Sequence, residues 1–188
     1  MWNKVRNRIV SSNVDIDGVL FDKTRTTLIK CSKDKSGNYV VPDGTLFIDK
    51  GAFRDCYFLS SIELPTTIQS IQAYAFCRCS GLKRIAIPNK VHYIHRGLLQ
   101  GCTGLKEIHV QSAIPPICVN GSKFSFFNDD DMMIIDSPTN RSYQKKGAKL
   151  ICFDGVGKEH CIVYVLKETV ELYKNTIGWN EFKNIVEE

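Results

Sequence analysis

The residues most open to chemistry in this sequence are its eight cysteines, because thiols can bridge, bind a metal or attack an electrophile. Three of them, Cys56, Cys79 and Cys102, return at an interval of 23 residues. Units stacked about 4.8 Å apart would bring their Cα atoms within bridging range. Their side chains would point in parallel, however, and keep the Cβ atoms farther apart than the roughly 3.8 Å that a disulfide prefers. We therefore predict that these three are buried, reduced thiols acting as small hydrophobic residues.

Two histidines, His92 and His95, could form a metal site if His109 or Cys102 supplied further ligands. Both align with glutamines one period earlier in the sequence, in positions that we expect to face solvent. Two histidines without a second anchored pair satisfy no usual ligand spacing. We therefore predict no metal site.

A nucleophilic role would fall to Cys77, because this cysteine lies outside the 23-residue column and aligns with Arg54 and Gln100. That alignment predicts an exposed thiol. Nucleophilic catalysis also needs a base and an oxyanion site, and His95 is the nearby candidate for the base. We expect no catalytic residue and no cofactor, and a cysteine-dependent enzyme stays an alternative.

A run of three carboxylates, Asp129, Asp130 and Asp131, could attract calcium. The run lacks the spaced ligands and the glycine of a calcium loop. We expect a solvated loop tip there, and the sequence leaves calcium binding open.

An internal repeat between Tyr39 and Pro116 would position the three cysteines of the column, Cys77 and the histidines. Its columns include Cys56, Cys79 and Cys102; Leu59, Leu82 and Leu105; Tyr39, Ile62, Ile85 and Ile108; Pro42, Pro65 and Pro88; and Phe53, Phe76 and Leu99. Apolar residues that alternate along a short strand, in a pattern that returns every roughly 20 to 29 residues, are typical of a leucine-rich repeat solenoid. Each coil of such a solenoid contains one short strand. The predicted fold is mostly β with short helical turns: a right-handed solenoid of about four coils, with a parallel sheet, an N-terminal β-hairpin cap and a C-terminal helical cap.

The chain is predicted to form a single domain over residues 1–188. Residues 13–38 form the N-terminal cap, with a hairpin turn at Asp17-Gly18, and residues 39–127 form the repeats. The last of these coils would take its core aromatic from Phe124 or Phe127.

An insertion is expected over residues 128–160, because the repeat register is lost there. Two short apolar runs in it suggest an added hairpin, although a helix is not distinguished by runs this short. Residues 161–188 would supply a final strand and a cap, in which Thr169 begins a short helix and Trp179, Phe182 and Val186 fall at helical spacing.

The repeat Asp55-Cys56-x-x-Leu59-x-x-Ile62-x-Leu64-Pro65 resembles that of the BspA-like leucine-rich repeat proteins, which are surface and adhesion proteins of gut and oral anaerobes and of some protists. The segment from Asp17 to Lys23 is similar to the entry module of that family, and the segment from Gly178 to Val186 is similar to its closing module. This resemblance implies a Bacteroides-type cell-surface or secreted protein that binds host or extracellular-matrix proteins.

Composition excludes several other classes of protein. The net charge of +5 is mild and the basic residues are scattered, so we expect no nucleic-acid partner. No apolar run approaches the roughly 20 residues of a membrane-spanning helix, so we expect no membrane insertion. The basic segment 1–8 is followed by no apolar core of a signal peptide, which leaves an intracellular scaffold or regulatory module as the alternative.

The surface predicted to bind a partner is the outward face of the sheet. Equivalent outward positions on successive coils are held by Ser61, Glu63, Arg84, Ala86, Glu107 and His109. Solenoids offer such extended faces to proteins, so we predict a non-enzymatic protein-binding module, with an oligomeric state that the sequence does not determine.

Overall fold

The structure, a computed structural model, describes residues 13–14, 18–119 and 150–188. Its strands are β1 Asn13–Val14, β2 Val19–Phe21, β3 Thr27–Cys31, β4 Gly37–Val40, β5 Phe47–Ile48, β6 Leu59–Glu63, β7 Ser70–Ile71, β8 Arg84–Ile87, β9 Tyr93–His95, β10 Glu107–Val110, β11 Ile117–Val119, β12 Ile162–Val165 and β13 Asn184–Glu187. One α-helix, α1 Val170–Lys174, and one 3-10 turn, Trp179–Glu181, complete the described elements.

The main sheet has six parallel strands in the order β4-β6-β8-β10-β12-β13. Like residues of consecutive strands lie side by side, because Ile85 pairs with Ile62 on one side and with Ile108 on the other. These inward residues are buried, while their neighbours along each strand face outward. The parallel sheet predicted from the 23-residue period is therefore confirmed.

The second side of each coil carries shorter strands. β3, β5 and β7 pair in parallel, and β9 pairs with β11. Two antiparallel strands extend the first of these sheets, with β1 against β2 and β2 against β3. The predicted N-terminal hairpin cap is therefore observed; of its turn dipeptide, Gly18 is described and Asp17 lies outside the described residues.

The core is built from columns of identical residues. The rings of Phe53 and Phe76 stack with centroids 5.2 Å apart. Cys79 donates its thiol hydrogen to Phe53 O at 3.0 Å, and Cys102 donates to Phe76 O at 3.0 Å. Burial raises the pKa of Cys102 to about 12. All eight cysteines are free and buried, as predicted for the three of the column.

Coil number is one point on which the prediction was wrong. About four coils were expected, and the six strands of the main sheet correspond to about six. The spacing between equivalent residues changes from 23 to 55 between Ile108 and Val163 and to 22 between Val163 and Ile185. The constant 23-residue period therefore ends at β10, and the coils of β12 and β13 do not continue it.

The C-terminal cap also differs from the prediction. Val170 to Lys174 form a helix, although the Thr169 side chain donates to Leu166 O rather than capping it. Trp179 begins a 3-10 turn, and the chain then forms β13 along β12 instead of a second helix. Trp179 is held by its indole N–H, which donates to Pro116 O at 2.8 Å.

The end of the predicted insertion belongs to a coil. The N–H of Leu99 donates to Cys152 O, as that of Phe76 donates to Leu98 O, so Phe153 continues the column of core aromatics. Residues 152–155 form turns and not the strand of a hairpin. Phe124 and Phe127, the predicted aromatics, lie outside the described residues, as do Met132 to Ile135 of the proposed hairpin.

Replacing Phe76 by alanine should lower the free energy of unfolding by about 3 to 5 kcal/mol, because the ring is fully buried between neighbours and leaves a cavity. Urea denaturation measures the loss. Phe58→Ala is the matched control, since the Phe58 side chain is 65% exposed and its removal opens no cavity. A loss below about 1 kcal/mol for Phe76→Ala would contradict the packing described here.

Candidate protein-binding face

The six residues predicted to bind a partner lie on one face of the main sheet. Arg84 pairs with Ser61 and with Glu107, and His109 pairs with Ala86, so the six form two adjacent rows across three strands. Glu63 and Arg84 are exposed, and the other four are half-buried. The strand register puts the six residues on the same face of the sheet, because alternate residues of a strand point to opposite faces.

The same two rows continue onto β12 and β13, which the sequence prediction did not include. Ile162 and Tyr164 follow Glu107 and His109, and Asn184 and Val186 come next. We call these four residues the C-terminal patch. Its apolar character contrasts with the charged rows of β6 and β8. The alternation in Ile162–Val165 was a usable signal, but β13 was hidden because its sequence also fits helical spacing.

Tyr164 is the aromatic anchor of the C-terminal patch. Its ring stacks on the His109 imidazole with centroids 4.5 Å apart and planes inclined by 10°. The two nitrogens of His109 face carboxylates, with Nδ1 at 2.5 Å from Glu188 Oε2 and Nε2 at 3.3 Å from Glu107 Oε2. The imidazole is therefore held between two acidic residues and supports the tyrosine ring in one orientation.

A shallow hollow adjoins this stack. Its lining consists of Glu159, His160, Ile162, Tyr164, Asn184 and Val186. Asn184 donates from its side-chain amide to Glu159 O at 2.9 Å, which ties the rim of the hollow to β13. The side chain of Val186 is 39% exposed. The hollow thus combines apolar and polar side chains, and protein interfaces likewise combine an apolar core with a polar rim.

The predicted histidine pair does not form a metal site in the described part of the chain. His92 is exposed, but His95 is buried, with 4% of its surface accessible, so the prediction that both face solvent was wrong for His95. Its ring packs against Tyr93 with centroids 6.3 Å apart. Within residues 13–14, 18–119 and 150–188, no group of three or more His, Cys, Asp or Glu side chains could hold a metal ion. Asp129, Asp130 and Asp131 lie outside these ranges.

The prediction of an exposed Cys77 was also wrong. The residue is buried, with 4% of its surface accessible, between coils that carry Arg54 and Gln100 in the same slot. Burial raises the pKa of its thiol, although Arg54 and Arg78 act in the opposite direction. A thiol that is both covered and protonated is a poor nucleophile.

The sequence of residues 30–142 matches the model of the BspA type Leucine rich repeat region in six copies. The chain belongs to this repeat family. Four strands of the main sheet, β4, β6, β8 and β10, fall within the matched range, and residues 120–142 of that range lie outside the described residues. Repeats of this family are consistent with a protein-interaction module and are typical of non-enzymatic scaffolds. BspA-type proteins are often found at the surface or secreted. No curated protein matches the chain.

Solved structures similar to the chain include three bacterial proteins. A leucine-rich repeat protein from Eubacterium ventriosum is 24% identical over 54% of this chain and 27% of its own, with a TM-score of 0.49. One from Bacteroides ovatus is 18% identical over 93% and 38%, with a TM-score of 0.43. The pneumococcal vaccine antigen PcpA is 18% identical over 95% and 48%, with a TM-score of 0.43. The chain therefore spans less than half the length of each of them.

In the described ranges, no helix has the length and apolar character needed to cross a membrane.

His95 should make stability depend on pH. Burial lowers its pKa below the ordinary 6.5, so the unfolded chain binds a proton that the folded chain does not, and stability falls as pH drops below 6.5. The decline is at most about 1.4 kcal/mol per pH unit. His95→Gln, which copies Gln72 of the preceding coil, should lose less stability between pH 7 and pH 5 than the wild type in urea denaturation.

The exposed His92 provides the control for this measurement, because His92→Gln should keep the wild-type pH dependence. An equal decline for His95→Gln and the wild type would show that the imidazole is not buried in its neutral form.

Cys77 should react with a maleimide at pH 7 at least about tenfold more slowly than free cysteine, because its thiol is covered and its pKa is raised. Mass spectrometry of the labelled peptides, with Cys77→Ser to assign the signal, measures the rate. Labelling faster than free cysteine would instead indicate an activated thiol and favour the enzyme alternative.

Proposed function

We propose that this chain is a non-enzymatic protein-binding module that docks its partner on the outward face of the main sheet, centred on the C-terminal patch. The observation that carries the proposal is the stacked pair of Tyr164 and His109 beside the shallow hollow. Tyrosine is enriched where interfaces are strongest, because it buries a large ring while its hydroxyl keeps a polar partner.

Preorganisation supports the same conclusion. Binding costs free energy for every side chain that must be immobilised. Tyr164 already rests on a ring that Glu107 and Glu188 hold in place, so little of that cost remains for it. Arg84 on β8 and Glu63 on β6 lie farther along the same face, where rim charges contribute to the orientation and rate of association.

The biological role we propose is adhesion or host interaction at the cell surface or after secretion. Family membership supports this role, since surface and secreted proteins are common among BspA-type repeat proteins. The partner would be a host or extracellular-matrix protein. An intracellular scaffold would use the same face on an intracellular protein, so the identity of the bound partner distinguishes the two roles.

The proposal is tested by surface-plasmon measurements of the purified chain against collagens, laminin and fibronectin. For whichever protein binds, Tyr164→Ala should weaken affinity by about tenfold or more, as removal of a central aromatic does. The double charge reversal Arg84→Glu with Glu107→Arg should slow association and weaken its dependence on salt.

Leu172→Ala is the matched control, because Leu172 is 50% exposed on α1 and belongs to neither row of the sheet face, so its loss should leave affinity unchanged. Equal binding by wild type and Tyr164→Ala would move the site off the C-terminal patch. Failure of the wild type to bind any matrix protein, together with capture of a defined intracellular partner through Tyr164, would replace the adhesion role by the scaffold role.

A further inference from the structure

The N-terminal cap brings two thiols together. Cys31, at the end of β3, and Cys56, in the turn before β6, lie close enough for each thiol to affect the pKa of the other. Both sulfurs also reach the same acceptor, with Cys31 Sγ at 3.4 Å and Cys56 Sγ at 3.5 Å from Ser32 O. Cys31 and Cys56 are 1% and 0% exposed. Convergence on one carbonyl oxygen places the two sulfurs side by side.

The side chains of this pair are not parallel, whereas the parallel side chains of the cysteine column disfavour a disulfide. Cys56, Cys79 and Cys102 occupy one slot of successive coils and point in parallel. Cys31 occupies a different slot: its N–H donates to Ala52 O just as that of Phe53 donates to Ala75 O, which aligns it with the column of aromatics. Its side chain therefore approaches Cys56 from another backbone position, and two side chains that converge can bridge where parallel ones cannot.

Charge near the pair favours one thiolate. Lys30 donates to Gly51 O at 2.6 Å, and Lys33 lies 3.2 Å from Asp55, the residue before Cys56. The hydrogen bond from Cys31 lowers the pKa of Cys56, and Lys30 and Lys33 add to this effect, while burial and Asp55 oppose it. The same bond and burial raise the pKa of Cys31, which keeps its proton. Cys56 is then the attacking sulfur and Cys31 the resolving one.

We propose that Cys31 and Cys56 form a reversible disulfide that fastens the N-terminal cap to the repeats. The oxidant is a disulfide, such as oxidised glutathione or a dithiol–disulfide oxidoreductase. Cys56 as thiolate attacks one sulfur of the oxidant and releases the other as a thiol; Cys31 then attacks the mixed disulfide, forms the Cys31–Cys56 bond and releases the second thiol. Two electrons and two protons pass from the chain to the oxidant.

The bond would act where the N-terminal cap meets the repeats. β3 joins β5 through only two register pairs, Thr27 with Phe47 and Leu28 with Ile48, supplemented by the Cys31 N–H. Terminal elements with few partners open locally before the rest of the domain. That opening admits the oxidant to the buried thiols, and closing residues 32–55 into a covalent loop then restricts further opening.

The test uses the whole chain equilibrated in glutathione buffers from fully reduced to fully oxidised. Free thiols are then trapped with iodoacetamide under acid quench, and peptides are mapped by mass spectrometry. Under oxidising buffer we expect a peptide pair joined through Cys31 and Cys56, a loss of about 2 Da from the chain and reversal by dithiothreitol. Proteolysis of the cap in the oxidised form should slow by at least about tenfold.

Variants distinguish the Cys31–Cys56 disulfide from general oxidation of the chain. Cys31→Ala and Cys56→Ser should both abolish the change in proteolysis, and Cys79→Ser should retain the linked peptide, because the Cys79 thiol donates to Phe53 O. Cys118 and Cys152 are also close enough for each to affect the pKa of the other, and they serve as an internal competitor. Eight alkylated thiols at every redox ratio, a link between Cys118 and Cys152 in place of Cys31 and Cys56, or unchanged proteolysis of the linked form would each overturn the proposal. Peptide mapping of the wild type tests the proposal even where a variant fails to fold.

Discussion

Backbone hydrogen bonds between successive coils are the constraint on which the rest of this structure depends. Each coil donates to the next at the same place: Phe53 N–H to Ala75 O and Phe76 N–H to Leu98 O. Parallel pairing in the main sheet repeats the same register. Because buried backbone groups must be paired, a coil cannot slip by one residue without losing a whole set of bonds and turning its core residues outward. Like residues are therefore stacked directly over like residues.

The same register explains where the backbone takes its least common conformation. Asp55, Arg78, Gly101 and Gly155 share one column, and all have positive φ, between 61° and 83°. Glycine adopts this region freely, whereas an aspartate or arginine there is strained. The two non-glycine members compensate each other, because the Arg78 guanidinium lies 2.5 Å from Asp55 Oδ1. Each coil needs the same sharp bend, and the column satisfies it either with glycine or with an ion pair between coils.

The sequence was sufficient for the parts of the fold that repeat at a constant interval. The inward residues Ile62, Ile85 and Ile108 and the ring of Phe76 could be placed because 23 residues return the chain to the same slot. β13 could not, because Ile185 follows Val163 by 22 residues and its neighbours also fit a helix. A period identifies the direction of a side chain but not what covers it. The alignment predicts that Cys77 and His95 face solvent, and both are nevertheless buried.

The candidate partner face lies where the repeat becomes irregular. On β6 and β8 the outward positions hold small or charged residues, whereas β12 and β13 supply Ile162, Tyr164 and Val186. A coil contacts only its neighbours, so a structural change at one end of a solenoid has little effect on the structure of the other end. The dithiol at Cys31 and the stack of Tyr164 on His109 are separated by the strands β6 and β8 of the main sheet. Oxidation of Cys31 and Cys56 would therefore make the N-terminal cap open less readily and would leave the geometry of the C-terminal patch unchanged. The stability of the cap and the affinity for a partner can thus vary independently within one domain.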